Sequence, residues 1–206
     1  MQKKFDDHII SYIIATLIIA INVYVYYLEL KFNNMSTNIS AYSAIHFGAS
    51  YGALDFHGQI YRLFTAMWIH LSFWHIASNM LALWLFIKMV CHVYYAWQII
   101  IVYLLSGIGG TLISAIVNPH IVAAGASTAI SGLIGAMIAM MALPDDGIFS
   151  KSSIVSYGMQ MLVLNTIGAI GTNVDITGHA GGALTGFIIS LVFCLFKRHH
   201  YLQYGY

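Results

Sequence analysis

The sequence predicts an all-α polytopic membrane protein, in which six transmembrane helices form a bundle and the first loop is long and partly embedded in the membrane. Three observations lead to this prediction. Of 206 residues, 60% are hydrophobic and 7% are charged, whereas about a quarter of the residues in a soluble domain are charged. The apolar residues form runs close to the length of about 20 residues that crosses a bilayer. Both prolines, Pro119 and Pro144, lie between runs.

The apolar runs set the bounds of the six predicted helices. They cover residues 9–28, 73–90, 96–117, 127–143, 153–170 and 178–196. The turn after the fourth run contains Pro144 beside two aspartates and a glycine, residue types that are typical of turns. We therefore predict one membrane-embedded domain over residues 9–196, with short tails at 1–8 and 197–206.

The first run follows Lys3 and Lys4, an order also found in secretory signal peptides. A signal peptide has an apolar core of about 7 to 15 residues and a small-residue cleavage site. The run is longer and no such site follows, so we expect a retained helix.

With the N-terminus inside, six lysines and arginines are cytosolic, whereas Lys31 and Arg62 are outside, as the positive-inside rule requires. We expect both termini in the cytosol and, from the bare six-helix core, a bacterial cytoplasmic membrane.

The first loop, residues 31–71, is too long to be a passive connection. Ile60, Leu63, Phe64 and Met67 recur in it at helical spacing, which predicts an amphipathic stretch lying in the membrane interface.

Composition also limits the classes of partner. A net charge of +1 provides no basic surface for nucleic acid, and the two cysteines in apolar context indicate free thiols without a disulfide or a metal site.

Ser127 is the first candidate functional residue, because it lies among small residues, Gly125 and Ala126 before it, at the start of an apolar helix. On one interpretation, small residues let two membrane helices approach closely and the hydroxyl joins them. On the other, free backbone N–H groups at the helix start face a developing oxyanion, and Ser127 is a nucleophile that needs a base.

The helix rise places Ser127 and His179 at similar depth. Sixteen residues separate Ser127 from Leu143 and eighteen separate His179 from Lys197, which corresponds to about 24 Å and about 27 Å. The hydrocarbon is about 30 Å thick, so both residues are predicted to lie just below the outer surface. Residues 118–125 must then dip into the membrane beside a water-filled cavity or inside the protein.

His179 is the candidate base, since ionisable side chains in membranes are rare and face the protein interior or a cavity. A histidine hydrated at the headgroup boundary is the alternative. Small residues that allow close helix packing occur on the fourth and sixth helices, at Gly132, Gly135, Gly182 and Gly186. This packing is predicted to bring the Ser127 hydroxyl within reach of His179. No carboxylate is well placed as a third member, because Asp175 lies on the outer rim.

A further polar cluster consists of His70, His75 and Asn79. His75 and Asn79 are four residues apart and share one helix face. Three roles are open for them: zinc ligands, a structural hydrogen-bonded pair, or donors to an oxyanion. The HExxH motif is absent and the segment contains no acidic residue, which disfavours zinc. We predict no metal and no other cofactor.

Together these residues resemble the rhomboid family of intramembrane serine proteases. The resemblance covers roughly residues 48–186, and its motifs occur in the family's order. They are Tyr61-Arg62-Leu63-Phe64-Thr65 with His70, then His75-Ile76-Ala77-Ser78-Asn79, then Gly125-Ala126-Ser127, and finally His179-Ala180-Gly181-Gly182 with Gly186. The combination of four ordered motifs on six apolar helices is specific, although each motif alone is weak.

The resemblance implies that Ser127 is the nucleophile and His179 the general base. It implies an oxyanion site formed by His75, Asn79 and the backbone N–H of Ser127. Arg62 would brace the first loop from within, His70 would be structural, and three glycines would support the site: Gly125, Gly182 and Gly186. The implied activity is cleavage of transmembrane protein substrates within the lipid bilayer, near its outer face.

The sequence departs from the family pattern at Thr128, where glycine is usual, and at Ser131, where an aromatic residue often stacks on the base. An alternative function is therefore a catalytically weak or inactive rhomboid-like protein that binds transmembrane segments. A small transporter or channel is a third interpretation, but the fourth and sixth helices become wholly apolar towards the cytosol, which does not favour a polar pathway.

Overall fold

The computed structural model describes residues 2–140 and 174–204, together with positions 152, 156, 159 and 160. The elements in these parts of the chain are mainly helices, joined by one two-stranded sheet. In order they are α1 (Gln2–Phe32), α2 (Ala41–Phe47), β1 (Ser50–Tyr51), α3 (Gly52–Asp55), α4 (Arg62–Thr65), a 3₁₀ helix (Ala66–Trp68), α5 (Phe73–Val90), α6 (Ala96–Val117), β2 (Val122–Ala123), α7 (Ser127–Met140) and α8 (Ile176–Tyr204).

Among the described residues, four helices are long and apolar enough to cross a membrane, namely α1, α5, α6 and α8. The fifth apolar helix, α7, is shorter over its described length. The predicted fifth transmembrane helix, residues 153–170, lies outside the described residues apart from three positions, as do the last residues of the predicted fourth helix. The polytopic all-α class is confirmed.

Two predicted helices have the bounds expected from the sequence, and two are longer. The helices α5 and α6 coincide with the predicted 73–90 and 96–117. The first helix begins at Gln2 and ends at Phe32, and the last runs from Ile176 to Tyr204. The predicted tails at 1–8 and 197–206 are thus largely helical. Apolar runs mark the part of a helix that lies in hydrocarbon, and backbone hydrogen bonding continues into the polar flanks.

The first loop begins after Phe32 and contains four short helical segments and β1. β1 pairs antiparallel with β2, so that Ser50 lies opposite Ala123 and Tyr51 opposite Val122. This pairing joins the first loop to the segment just before Ser127. Of the four apolar residues in the predicted amphipathic stretch, Leu63 and Met67 are buried, whereas Ile60 and Phe64 are 68% and 43% exposed.

The helices α6, α7 and α8 pack against one another, and α1 packs against α5. The centre of the molecule is filled by large apolar side chains with almost no exposure, among them Tyr103, Leu83, Ile87, Ile130 and Leu133. Because α7 packs against both α6 and α8, its first residue, Ser127, is held by two neighbouring helices.

Candidate active site

Ser127 is the first residue of α7 and is 7% exposed. The chain enters the helix through Gly125, which has a φ of +118°, a conformation that favours glycine. The N–H of Gly125 donates to the carbonyl of Ala66 at 3.0 Å, which ties this turn to the first loop. Backbone N–H groups in the first turn of a helix have no intrahelical acceptor, so the start of α7 presents unpaired donors beside the serine hydroxyl.

His179 lies in the first turn of α8, and its Nε2 is 2.7 Å from the Oγ of Ser127. Asp175 caps this helix by accepting the N–H of Gly178 on its Oδ1 at 2.9 Å. Thr177 also donates to that oxygen and accepts from Asn118. These bonds fix the helix start that carries His179.

Backbone contact between α7 and α8 determines the Ser127 to His179 distance. A Cβ atom added at Gly182 would overlap the carbonyl oxygen of Thr128, and one added at Gly186 would overlap that of Gly132. A Cβ at Gly135 would overlap the carbonyl oxygen of Ala183. Only glycine at these positions allows the two helices to approach this closely, as the sequence predicts.

His75 and Asn79 lie on one face of α5, next to the turn that precedes Ser127. A Cβ atom at Gly125 would be 2.6 Å from His75 Nε2 and 3.5 Å from Asn79 Nδ2. The N–H of Leu71 points at His75 Nδ1 at 3.4 Å, so the bonding pattern assigns the proton of the neutral ring to Nε2. Both nitrogens are therefore donors directed at the Gly125 turn.

The amide nitrogen of Asn79 is buried and has no hydrogen-bond partner among the described residues. Buried polar groups are nearly always paired in folded proteins, and an exception calls for an explanation. An acceptor that arrives with a ligand, such as the oxygen of a carbonyl under attack, is the simplest partner for this donor.

His70 and Arg62 bond to backbone rather than to the Ser127 hydroxyl. His70 is fully buried, and its Nε2 accepts the N–H of Ala126 at 3.5 Å. Burial lowers the pKa of His70, so the ring stays neutral. Arg62 donates to the carbonyls of Ile45 and Ala49 at 2.7 and 2.9 Å, which braces the first loop internally.

Among the described residues, no carboxylate hydrogen-bonds to the imidazole of His179. In the described part of the chain no side chain hydrogen-bonds to its Nδ1. Ser131, one turn after Ser127, is buried and contributes no ring to stack on the base. The chemistry available here is proton transfer between a hydroxyl and an imidazole, next to donors suited to an oxyanion. Among the described residues no group of three or more potential ligands is placed to hold a metal ion.

Sequence reasoning missed two residues that contribute to this arrangement. Asp175 was placed on the outer rim, and its role as the cap of α8 was not recognised, although an aspartate three residues before a helical glycine is typical of a cap. Glu29 was not singled out at all. The available signal was a lone acid at the end of an apolar run, since ionisable residues in such segments have specific partners.

Comparison with known proteins decides the family. The rhomboid domain profile matches residues 57–196, about two thirds of the chain. The chain belongs to the rhomboid family. Rhomboids are polytopic helical membrane proteins, in agreement with the fold above, and this one is an integral multi-pass membrane protein.

Several rhomboids with known names are similar to this chain. Rhomboid protease GluP of Bacillus subtilis is 32% identical over 171 residues, which cover 83% of the chain. RHOMBOID-like protein 1 of Arabidopsis thaliana is 32% identical over 149 residues, or 72% of the chain. The matched region spans only 33% and 37% of these two proteins. Inactive rhomboid protein 1 of Drosophila melanogaster is also similar, with 28% identity over 65% of the chain.

Proposed function

We propose that this rhomboid is an intramembrane serine endopeptidase that cleaves transmembrane proteins with a dyad of Ser127 and His179. The single observation that carries the proposal is the 2.7 Å contact between Ser127 Oγ and His179 Nε2. A nucleophile and a base within about 2.6–3.2 Å are the geometric requirement for nucleophilic catalysis. The family relationship supports a protease-like function for the whole fold.

In the first half of the reaction, Ser127 Oγ attacks the carbonyl carbon of the scissile peptide bond while its proton moves to His179 Nε2. The carbonyl π electrons move to oxygen and form a tetrahedral oxyanion. His179 then returns the proton to the amide nitrogen, the C–N bond breaks, and the amine fragment leaves. Ser127 remains as an ester of the other fragment. Positioned acid–base catalysis of this kind contributes about 10²–10⁴ in rate.

In the second half, a water molecule attacks the ester carbonyl and gives its proton to His179. A second tetrahedral oxyanion forms and collapses, the ester bond breaks, and Oγ recovers its proton. Both oxyanions would accept hydrogen bonds from His75 Nε2, Asn79 Nδ2 and the N–H of Ser127. The position of both side-chain nitrogens beside Gly125, together with the unpaired Asn79 amide, supports this assignment.

The substrates we propose are transmembrane segments in the lipid bilayer that are cut near its outer face. Ser127 and His179 each lie at the N-terminal end of an apolar helical stretch, which runs to Met140 in α7 and to Phe196 in α8. The charge distribution supports an orientation with this end outside and both chain termini in the cytosol. The location we propose is a bacterial cytoplasmic membrane, and the similarity to a rhomboid protease of Bacillus subtilis supports it.

A second candidate function is a catalytically weak or inactive rhomboid that binds transmembrane segments without cutting them. The observation in its favour is that no carboxylate and no ring at position 131 holds His179, and that Thr128 has a buried hydroxyl without a partner among the described residues. The similarity to an inactive rhomboid also belongs to this alternative.

A fluorophosphonate probe and a transmembrane test substrate decide between the two functions. We expect the detergent-solubilised wild type to be labelled and to release two fragments of the substrate. Ser127→Ala and His179→Ala should abolish both signals. Ser131→Ala, which removes a buried hydroxyl one turn further along α7, is the matched control and should retain them. Labelling that persists in Ser127→Ala would contradict the assignment, and substrate binding without fragments would favour the alternative.

A further inference from the structure

Glu29 is a fully buried carboxyl group in the last turn of α1. Its Oε2 accepts the backbone N–H of His70 at 3.2 Å. Its Oε1 has no hydrogen-bond partner among the described residues. A carboxyl group at this position destabilises the fold relative to leucine, a side chain of similar volume, because burying a polar oxygen without a hydrogen-bond partner costs free energy.

Three other polar side chains of α1 bond within their own helix. Ser11, Thr16 and Asn22 each donate to the carbonyl four residues earlier, at 2.8–2.9 Å. Such bonds satisfy a hydroxyl or amide in an apolar helix and join it to nothing else. Glu29 instead bonds across to the segment that carries His70, 41 residues along the chain. Its hydrogen bond therefore joins α1 to the neighbourhood of the active site.

A second hydrogen bond of His70 connects it to the segment that carries the proposed nucleophile. The Nε2 of His70 accepts the N–H of Ala126, the residue immediately before Ser127. The ring of His70 also lies edge-on to that of His75, with 5.2 Å between centroids. Glu29 thus fixes the backbone of His70. The ring of His70 in turn contacts two parts of the proposed oxyanion site, namely the turn before Ser127 and the ring of His75.

We infer that Glu29 is a positioning residue for the oxyanion site, acting through the backbone of His70. This inference rests on the proposed function. When the acceptor at position 29 is missing, the N–H of His70 has no partner in an apolar interior and its segment shifts to find one. The shift moves the His70 ring, and with it the Ala126 N–H and His75 donors. Stabilisation of the oxyanion falls, whereas the surface that binds the substrate helix stays unchanged.

Three variants test the inference through the rate constant per active site, which fluorophosphonate titration normalises. Glu29→Gln keeps the shape and an oxygen acceptor for His70, so its kcat should stay within about twofold of the wild type. Glu29→Leu removes the acceptor, and its kcat should fall roughly ten- to a hundredfold at unchanged KM, the loss typical of a small misplacement at a reacting centre. Asn22→Leu is the matched control, since Asn22 is equally buried in α1 but donates to the carbonyl of Ile18 in the same helix. It should keep the wild-type kcat.

The outcomes separate positioning from mere structural support. If Glu29→Leu only lowers the number of titratable sites while kcat per site stays at the wild-type value, the inference is wrong. It is equally wrong if Glu29→Gln is as slow as Glu29→Leu. Should Glu29→Leu not fold, Glu29→Asp decides: its retracted carboxylate should slow the reaction, and an unchanged kcat overturns the inference. If the fluorophosphonate probe does not label Ser127 in the wild type, the proposed function and this inference are both wrong. If the wild type is labelled, a contrary result with the Glu29 variants contradicts only the inference about Glu29.

Discussion

Gly186 of α8 lies so close to the backbone of Gly132 in α7 that a Cβ atom at position 186 would overlap the Gly132 carbonyl oxygen. Since these two helices carry His179 and Ser127 at their N-terminal ends, this contact sets the distance between the proposed base and nucleophile. The closeness of the dyad therefore depends on residues that take no part in the chemistry.

Gly186→Ala should separate α7 from α8 at this contact, because a backbone atom cannot move aside as a side chain can. We expect a loss of about 1–3 kcal/mol in the free energy of unfolding and a strong loss of probe labelling. Gly107→Ala is a suitable control, since its Cβ would meet chiefly the terminal methyl group of Met67, the end of a flexible side chain. Thermal unfolding in detergent should show a clearly smaller change for Gly107→Ala, and equal effects of the two would contradict this explanation.

Gly125→Ala should abolish labelling for two reasons. Its φ of +118° is strained for any other residue, and the new methyl group would lie 2.6 Å from His75 Nε2, where the oxyanion is expected. Gly58→Ala is a close control, because Gly58 also has a positive φ, +98°, but no atom within 4 Å of the added Cβ. Both variants should lose about 1–2 kcal/mol of stability from backbone strain, and only Gly125→Ala should lose the labelling rate. Retained labelling in Gly125→Ala would place the oxyanion elsewhere.

Asn79→Ala should lower kcat by about 10²–10³, the usual effect of removing one oxyanion donor. Its stability should change little, because the amide nitrogen has no partner to lose among the described residues. The neighbouring Ser78→Ala removes a bond from Ser78 Oγ to the carbonyl of His75 and should leave kcat near the wild type. Steady-state cleavage of a transmembrane substrate measures both. An Asn79→Ala enzyme with the wild-type kcat would assign Asn79 a purely structural role.

Arg62→Ala should loosen the first loop rather than impair proton transfer. Two loop carbonyls, those of Ile45 and Ala49, would lose a charged donor, and hydrogen bonds to charged groups contribute about 1.5–3 kcal/mol each. Hydrogen exchange should show faster exchange across residues 41–51. Arg62→Lys keeps the charge but not the planar guanidinium group, which donates to two carbonyls and to Gln59 at once. Its exchange rate should therefore lie between those of the wild type and Arg62→Ala. Unchanged exchange in Arg62→Ala would show that the loop is held by other contacts.

The sequence predicted those features that leave a local pattern. The bounds of α5 and α6 were correct because each apolar run starts at a capping interaction: Ser72 accepts the N–H of His75, and Gln98 accepts that of Tyr95. The glycine spacing on α7 and α8 predicted their close contact. That contact is sufficient to predict a short Ser127 to His179 distance.

Features that depend on pairing across long separations could not be predicted. The pairing of β1 with β2 involves two residues on each strand, too few for any periodicity. The bond from Glu29 to His70 joins a side chain to a backbone N–H, and any residue at position 70 other than proline provides that donor. The apolar run that marks the first helix ends at Leu28, so the predicted helix stops one residue short of Glu29, which bonds to the backbone of His70.

The glycine contact between α7 and α8 also restricts how a substrate could enter. Two helices that meet backbone to backbone along their length behave as one rigid block, with no side chains between them to rearrange. Separating α7 from α8 would also separate Ser127 from His179, and the proposed proton transfer requires these two side chains to be in contact. If the chain cleaves transmembrane segments as proposed, a substrate helix would have to approach from another side of the block, and the part that moves to admit it would lie outside α7 and α8.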